Sequence, residues 1–444
     1  MITLKKSIRT KISITSGPRG LIMFMIYFLC IMGTLELFGF PHMIEYILDL
    51  ANLILLVHLV IGRKFKRGIK DPLILFQIIV FVIGLILSIM QFVSPALVIW
   101  STRNLFRFIV FYVGCISYLR PDDVRRIFTN LRYLFYLNFG MILFEYIFLE
   151  FRDDELGGLF GATQTTNGDL NIFLLLTTTY FVVMWEEKKI KNIELIAVLT
   201  IDMFISAFAE LKVFFFEIFL IFLLVFIISS VKRGFSKKII KWAMIIALAV
   251  VILSVGMNYM IKLYPQWENF FSVEKILLEV TRTGGYTNKG DINRITFLST
   301  LNDSVFRDNT LNRIFGLGLG SCEFSENMSF LISPFYAKYY YLHYFYFSLA
   351  WMYLECGFIG MIGYLLSFVV PFVRGFAVLN KIDDESAPFY IVGIVLSFCS
   401  IVLLIYNQSM RLPSAYLMYL GISLVSVFKY KNDNTNTMLD EKAD

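Results

Sequence analysis

Apolar stretches long enough to cross a bilayer, about twenty residues at 1.5 Å of helical rise each, recur about twelve times along this chain. They fall near 21–40, 44–61, 73–93, 96–118, 127–149, 170–185, 193–209, 213–230, 239–257, 343–372, 388–408 and 411–428. With 58% hydrophobic and 17% charged residues, the chain lacks the polar surface a soluble globule needs. The predicted fold is an all-α polytopic membrane bundle. Residues 1–256 carry spans one to nine, 257–342 form a long polar segment, 343–428 carry spans ten to twelve, and 429–444 are a polar tail. Membrane proteins keep most connections short, so the long segment is the first place to look for chemistry.

Lys and Arg settle on the cytoplasmic side of a membrane, and most of the 40 in this chain lie in alternate connections. Arg63–Lys70, Arg120–Arg132, Lys188–Lys191, Lys232–Lys241 and the tail after Phe428 are therefore expected inside, together with the basic start (Lys5, Lys6, Arg9, Lys11, Arg19). Both termini are then cytoplasmic and the long segment lies outside. No small-residue cleavage site follows the first span, which reads as retained. The net charge of +6 belongs to this sidedness and gives no reason to invoke nucleic acid.

Cys30, Cys115, Cys356 and Cys399 lie in spans and Cys322 in the long segment, so no disulfide framework is implied. His42, His58 and His343 have no metal-ligand spacing. The run Asp153-Asp154-Glu155 reads as a solvated acidic loop, and no metal or other cofactor is expected. No internal repeat is visible, and the two halves are unequal, unlike an inverted-repeat transporter.

Ionisable groups within a span carry a functional hypothesis. Arg103 and Arg107 are four apart in the fourth span and share one helical face. Two readings stand side by side: an ion pair knitting the spans, with Glu36, Glu45 or Asp49 as counter-charge, or an anion site. At the Ala209-Glu210-Leu211-Lys212 turn, Lys212 reads either as an interfacial anchor beside Phe214–Phe216 or as an outward cation aimed at a lipid-linked phosphate.

Within the long segment, Ile295, Leu298, Leu301 and Val305 form a helical stripe, which predicts an amphipathic helix lying on the membrane. Arg282-Thr283-Gly284-Gly285 precedes it, and Gly316-Leu317-Gly318-Leu319-Gly320 follows, a run whose amides are able to approach an anion. His343 opens the tenth span after Tyr339–Tyr341, and Glu355-Cys356-Gly357 continues it. At helical rise Glu355 lies about 16–18 Å deeper than His343, too far for direct contact.

Arg294, the Phe315–Ser321 glycine run, His343 and Glu355-Cys356-Gly357-Phe358-Ile359-Gly360, in this order and spacing, resemble the O-antigen polymerase and O-antigen ligase superfamily. Gly157–Gly161 through Asn167 and the Ala209–Lys212 turn are similar to its pattern too, so the resemblance covers most of residues 150–365. It implies a helical bundle of about twelve spans related to the lipid-dependent (GT-C type) glycosyltransferases. It also implies glycosyl transfer at the outer face of the bacterial cytoplasmic membrane, from polyprenyl-diphosphate-linked oligosaccharides in membrane lipid. A chain-length regulator and a flippase of the same pathway are the implied partners. One branch polymerises repeat units for capsule, O-antigen or exopolysaccharide; the other ligates the glycan to a different lipid acceptor. Lys212 departs from the arginine that many relatives carry, and lysine lacks the paired donors of a guanidinium.

Expulsion of diphosphate builds negative charge that fixed cations stabilise, and activation of a sugar hydroxyl needs a base. On the resemblance, His343 is the expected base and Arg294 its catalytic partner. Arg282, Lys212, Arg103 and Arg107 are expected on the diphosphate, with Glu210 and Glu355 in support. A flippase of about twelve spans is the alternative from another class, though it has little use for so long an external segment.

Overall fold

Proline sets where several of the long helices begin. Pro18, Pro72, Pro95 and Pro121 each take the first helical position, where a missing N–H costs nothing and the fixed φ suits the helix. The computed structural model describes residues 17–163, 166–233, 262, 291–325 and 328–440. In chain order the helices are α1 (Pro18–Leu37), α2 (Tyr46–Ile61), α3 (Phe65–Ile69), α4 (Pro72–Met90), α5 (Pro95–Tyr118), α6 (Pro121–Phe148), α7 (Thr166–Glu186) and α8 (Asn192–Phe208). They continue with α9 (Lys212–Arg233), α10 (Phe297–Leu301), α11 (Thr310–Phe315), α12 (Pro334–Tyr339), α13 (Ser348–Val378), α14 (Ala387–Tyr406) and α15 (Ala415–Asp440).

Among the described residues, nine helices are long and apolar enough to cross a membrane, and the apolar part of α15, Ala415–Lys429, is shorter. The chain is a helical, polytopic membrane protein. Each expected span coincides with a helix except the ninth, 239–257, which lies outside the described residues. Large apolar side chains such as Leu50, Val57, Ile86, Ile99 and Phe148 face outward. In lipid that costs nothing, whereas backbone polar groups must be satisfied within the chain.

The core forms where α13 packs along α4 and α14, α14 along α15, and α15 along α5. Phe108 stacks on Tyr419 at 5.3 Å, Tyr416 meets Phe108 and Phe111 edge-on, and Gln77 donates to the Tyr419 hydroxyl at 2.7 Å. Small residues let α14 and α15 close up: a Cβ at Gly393 would stand 2.9 Å from Val425.

Among the described residues the helices alternate in direction, so one end of the bundle gathers 38–45, 91–94, 149–163, 209–211, 291–325, 328–347 and 407–414. Of the short connections at this end, 38–45, 91–94 and 209–211 contain no Lys or Arg and 407–414 contains Arg411 alone, while Arg63, Lys64, Arg120, Lys188, Lys189 and Lys191 sit at the opposite end.

Two expectations need correction. The tenth helix starts at Ser348, not 343, because Tyr340–Leu342 and Tyr344–Tyr346 form separate 3-10 turns hinged at His343 in the left-handed region, φ 51°. The amphipathic helix shrinks to α10 followed by a π turn over Asn302–Phe306. Its buried face is Phe297, Leu301 and Phe306; Ile295, expected on the apolar stripe, is 58% exposed. Phe297 and Phe306 pack against Tyr353 of α13, whose hydroxyl donates to Asn302 at 2.6 Å, so this face is held against α13.

Candidate functional site

Helix α13 breaks at Gly357 (φ 64°, ψ −166°), which strands the carbonyls of Leu354 and Glu355. Backbone amides of the glycine run take them: Leu317 N–H donates to Leu354 and Gly318 N–H to Glu355, both at 2.8 Å. So close an approach excludes side chains. Gly316, Gly318 and Gly320 all have positive φ (87°, 89°, 84°), and a Cβ would stand 2.5 Å from the Glu355 carbonyl, 2.6 Å from Ser88 and 2.6 Å from Leu97 respectively.

The run does bring amides to an anion, but the anion is the protein's own. Glu355 Oε1 accepts from the N–H groups of Gly320 (2.9 Å) and Cys322 (3.3 Å), and Oε2 accepts from the Ser101 hydroxyl (3.1 Å). The same device recurs in α6. Glu145 accepts from Gly158 N–H at 2.7 Å and Asn138 from Leu159 N–H at 2.9 Å, docking the Gly157–Gly161 turn against α1. Irregular backbone enters a membrane bundle only where the protein satisfies it, and these side chains do so.

Beyond the glycine run the polar chain continues. Glu323 forms an ion pair with Arg411 at 2.6 Å and accepts from Asn104 at 3.2 Å. Arg411 lies over the Trp351 ring at 3.5 Å, and its carbonyl accepts from Arg107 Nη2 at 2.6 Å. Arg103 pairs with Asp49, donates to Asn104 at 2.8 Å and lies over Trp100 at 4.5 Å. Of the three expected counter-charges Asp49 is the one that meets Arg103, while Glu36 meets His42 at 3.1 Å. One network thus joins α2, α5, α13 and the turn Ser409–Arg411.

A second centre lies at the same end of the bundle. Ile292 N–H donates to the Leu342 carbonyl at 3.0 Å, which lays 291–294 beside 342–347. Asp291 thereby comes within 3.9 Å of His343 Nδ1, in ion-pair rather than hydrogen-bond range. Arg294 donates through Nε to the Tyr406 carbonyl at 2.9 Å, and its guanidinium lies 4.3 Å from the Tyr406 ring centre and 5.8 Å from that of Phe347. The His343 side chain is 31% exposed and flanked by Phe345 and Tyr346.

The two centres are physically joined. The Tyr344 hydroxyl donates to the Cys322 carbonyl at 2.7 Å, and Cys322 N–H is held by Glu355. Glu355 therefore reaches the residue beside His343 through two hydrogen bonds. Burial, and next the Glu355 carboxylate, push the Cys322 thiol well above its ordinary range; burial likewise raises the Tyr344 phenol.

Of the expected site residues, Arg294 and His343 come to one segment, and Arg103, Arg107 and Glu355 to the adjoining network. Glu210, left-handed at φ 47°, lies in the α8–α9 turn at the same end. Arg282 and the side chain of Lys212 lie outside the described residues. Among the described residues no group of three or more His, Cys, Asp or Glu forms a metal centre. Sequence reasoning missed Asp291, Asn104, Glu323 and Arg411. A lone arginine between two apolar spans was the available signal for Arg411. The chain was compared with protein-family models and with curated proteins, and none matches.

Proposed function

We propose that the protein is a glycosyltransferase of the O-antigen polymerase and ligase type, joining polyprenyl-diphosphate-linked oligosaccharide repeats at the outer face of a bacterial cytoplasmic membrane. On this reading the bundle has about twelve spans, relates to the GT-C transferases and keeps both termini inside. The observation that carries it is that the segment 291–294, which bears Arg294, lies beside 342–347 and brings Asp291 within 3.9 Å of His343. The motif order of the superfamily supports it.

The reaction follows from those groups. An acceptor sugar hydroxyl loses its proton to the His343 imidazole, with the Asp291 carboxylate 3.9 Å away stabilising the resulting imidazolium. The hydroxyl oxygen forms the new bond to the anomeric carbon as the bond from that carbon to the diphosphate oxygen breaks. The lipid diphosphate leaves with the electron pair, and Arg294, Arg282 and Lys212 stabilise its charge. No step calls for a metal ion.

The test is transfer by the purified full-length chain in lipid nanodiscs with a lipid-diphosphate-linked oligosaccharide as both donor and acceptor. Wild type forms longer lipid-linked chains, and His343→Ala and Arg294→Ala reduce the rate by at least about a hundredfold, the ordinary contribution of a general base. Transfer only to a different lipid acceptor makes the protein a ligase. Full activity in both variants removes the proposed centre, and product loss in EDTA removes the metal-independent route.

A further inference from the structure

Arg63, Lys64, Lys66, Arg67 and Lys70 place five cations in eight residues between α2 and α4, and the sequence holds no carboxylate between Asp49 and Asp71. The connection is pinned to α5. Gly62 N–H donates to the His58 carbonyl and Lys64 N–H to that of Leu59, both at 2.9 Å, which closes α2 through Arg63 in the left-handed region, φ 52°. The Tyr118 hydroxyl donates to the same His58 carbonyl at 2.9 Å. Phe65 stacks on Phe106 at 6.4 Å, and a Cβ at Gly68 would stand 2.5 Å from Val113, so α3 lies tightly against α5.

Asp71, the acid that ends this segment, faces inward. It is 5% exposed, with Oδ1 accepting from Leu73 N–H at 3.1 Å and Oδ2 from the Ser426 hydroxyl at 2.6 Å. What remains outside is cationic: Arg63, Lys64, Lys66 and Lys70 are exposed, and among the described residues their side chains enter no hydrogen bond or ion pair. Other cations toward this end of the bundle have partners. Arg19 meets Asp123 at 3.6 Å, Arg125 meets Glu385 at 2.6 Å and Lys232 meets Asp384 at 3.0 Å, while Lys188 and Lys189 directly follow Glu186 and Glu187. Sidedness alone asks only for positive charge, and the neutralised clusters meet it equally well.

Beside the unpaired cations the surface turns apolar. Val60, Ile61 and Ile69 are 61%, 77% and 46% exposed on the helices that flank them. Cations at the rim with bare hydrocarbon next to them match a phospholipid, whose phosphate sits at headgroup level and whose acyl chains run along the bundle. A soluble anion would use the charge and leave the apolar residues idle.

We propose that the α2–α4 connection is a binding surface for anionic phospholipid, with Arg63, Lys64, Lys66 and Lys70 on the headgroup phosphates and Val60, Ile61 and Ile69 against the acyl chains. It stands independently of the transferase reading. Each cation near an anionic leaflet favours it about fivefold, and the attraction fades within a Debye length of about 10 Å, so the effect is local to this connection.

The test is photo-crosslinking of the full-length protein in phosphatidylcholine nanodiscs carrying about one-fifth diazirine-labelled phosphatidylglycerol, with the attachment sites mapped by mass spectrometry. Wild type is labelled within 60–70 more strongly than by diazirine-labelled phosphatidylcholine with the same chains. Lys64→Gln with Lys66→Gln lowers that labelling about fivefold for each charge removed, and Lys64→Arg with Lys66→Arg preserves it. Lys188→Gln with Lys189→Gln removes the same charge from the same end and leaves labelling at 60–70 unchanged. Equal labelling by the two lipids, or an equal fall in both glutamine pairs, overturns the proposal and leaves only the general charge of that end. Displacement by inorganic phosphate or by a polyglutamate peptide, beyond that caused by sodium chloride at equal ionic strength, gives the surface to a soluble anion and overturns it as well.

Discussion

Replacing Glu355 with alanine removes the acceptor for Gly320 N–H, Cys322 N–H and the Ser101 hydroxyl at once. The serine is able to turn its proton to the carbonyl one helical turn back, so its loss is small. The two amides have no alternative in a segment enclosed by α4, α5 and α13. An unsatisfied buried group costs about 1–3 kcal/mol, so the pair puts Glu355→Ala at about 2–6 kcal/mol. Glutamine keeps a carbonyl oxygen for both amides and loses only the charge assistance, about 1 kcal/mol for each bond. The assay is unfolding of the purified protein in one detergent, followed by tryptophan fluorescence and by trypsin cleavage after Lys338. Glu355→Ala should unfold first, Glu355→Gln in between, and cleavage should speed in the same order. An alanine variant as stable as wild type, or a glutamine variant less stable than alanine, refutes the account of Glu355 as the clamp on the glycine run.

Gly316→Ala and Gly318→Ala should leave little folded protein, because each Cβ meets backbone and each φ is positive; Gly140→Ala, with nothing within 4 Å, should be neutral or gain up to about 1 kcal/mol in the same unfolding assay. Glu323→Gln or Arg411→Met alone should cost about 3–5 kcal/mol by stranding a buried charge, while the two changes together should cost less than either, measured as a double-mutant cycle. All five cysteines are buried, and the thiolate is the reactive form, so a Cys322 thiol raised well above its usual range should resist maleimide at neutral pH; intact mass should show adducts only after denaturation. His343→Asn should keep the left-handed turn, which asparagine tolerates, and elute from size exclusion like wild type while losing transfer.

Helices were legible because lipid demands length and apolarity; the expected starts at 73 and 96 fall one residue after Pro72 and Pro95, where the helices begin. The tenth start was missed by five residues: Tyr344, Phe345 and Tyr346 read as part of the apolar stretch, and the extended backbone of Phe347 (φ −130°, ψ 116°) separates them from α13. Asp49 was legible as a partner of Arg103 because both stand on long helices at matching depth. Glu355 stood out as a motif residue, but its use as an acceptor for residues 320 and 322 is a long-range pairing that local spacing does not encode. Glu323 lies in the long polar segment and carried no reading in the sequence, yet it is 1% exposed and paired with Arg411, far along the chain.

The break in α13 also dictates an order of assembly. Residues 316–322 leave the ribosome before the carbonyls they must cap at 354 and 355 exist, so the early helices insert with a vacant slot beside Ser88 and Leu97. The glycine strand threads into that slot only once α13 has taken its place. A nascent chain halted before residue 348 therefore has most of its membrane helices, while its glycine run still lacks the carbonyls of Leu354 and Glu355.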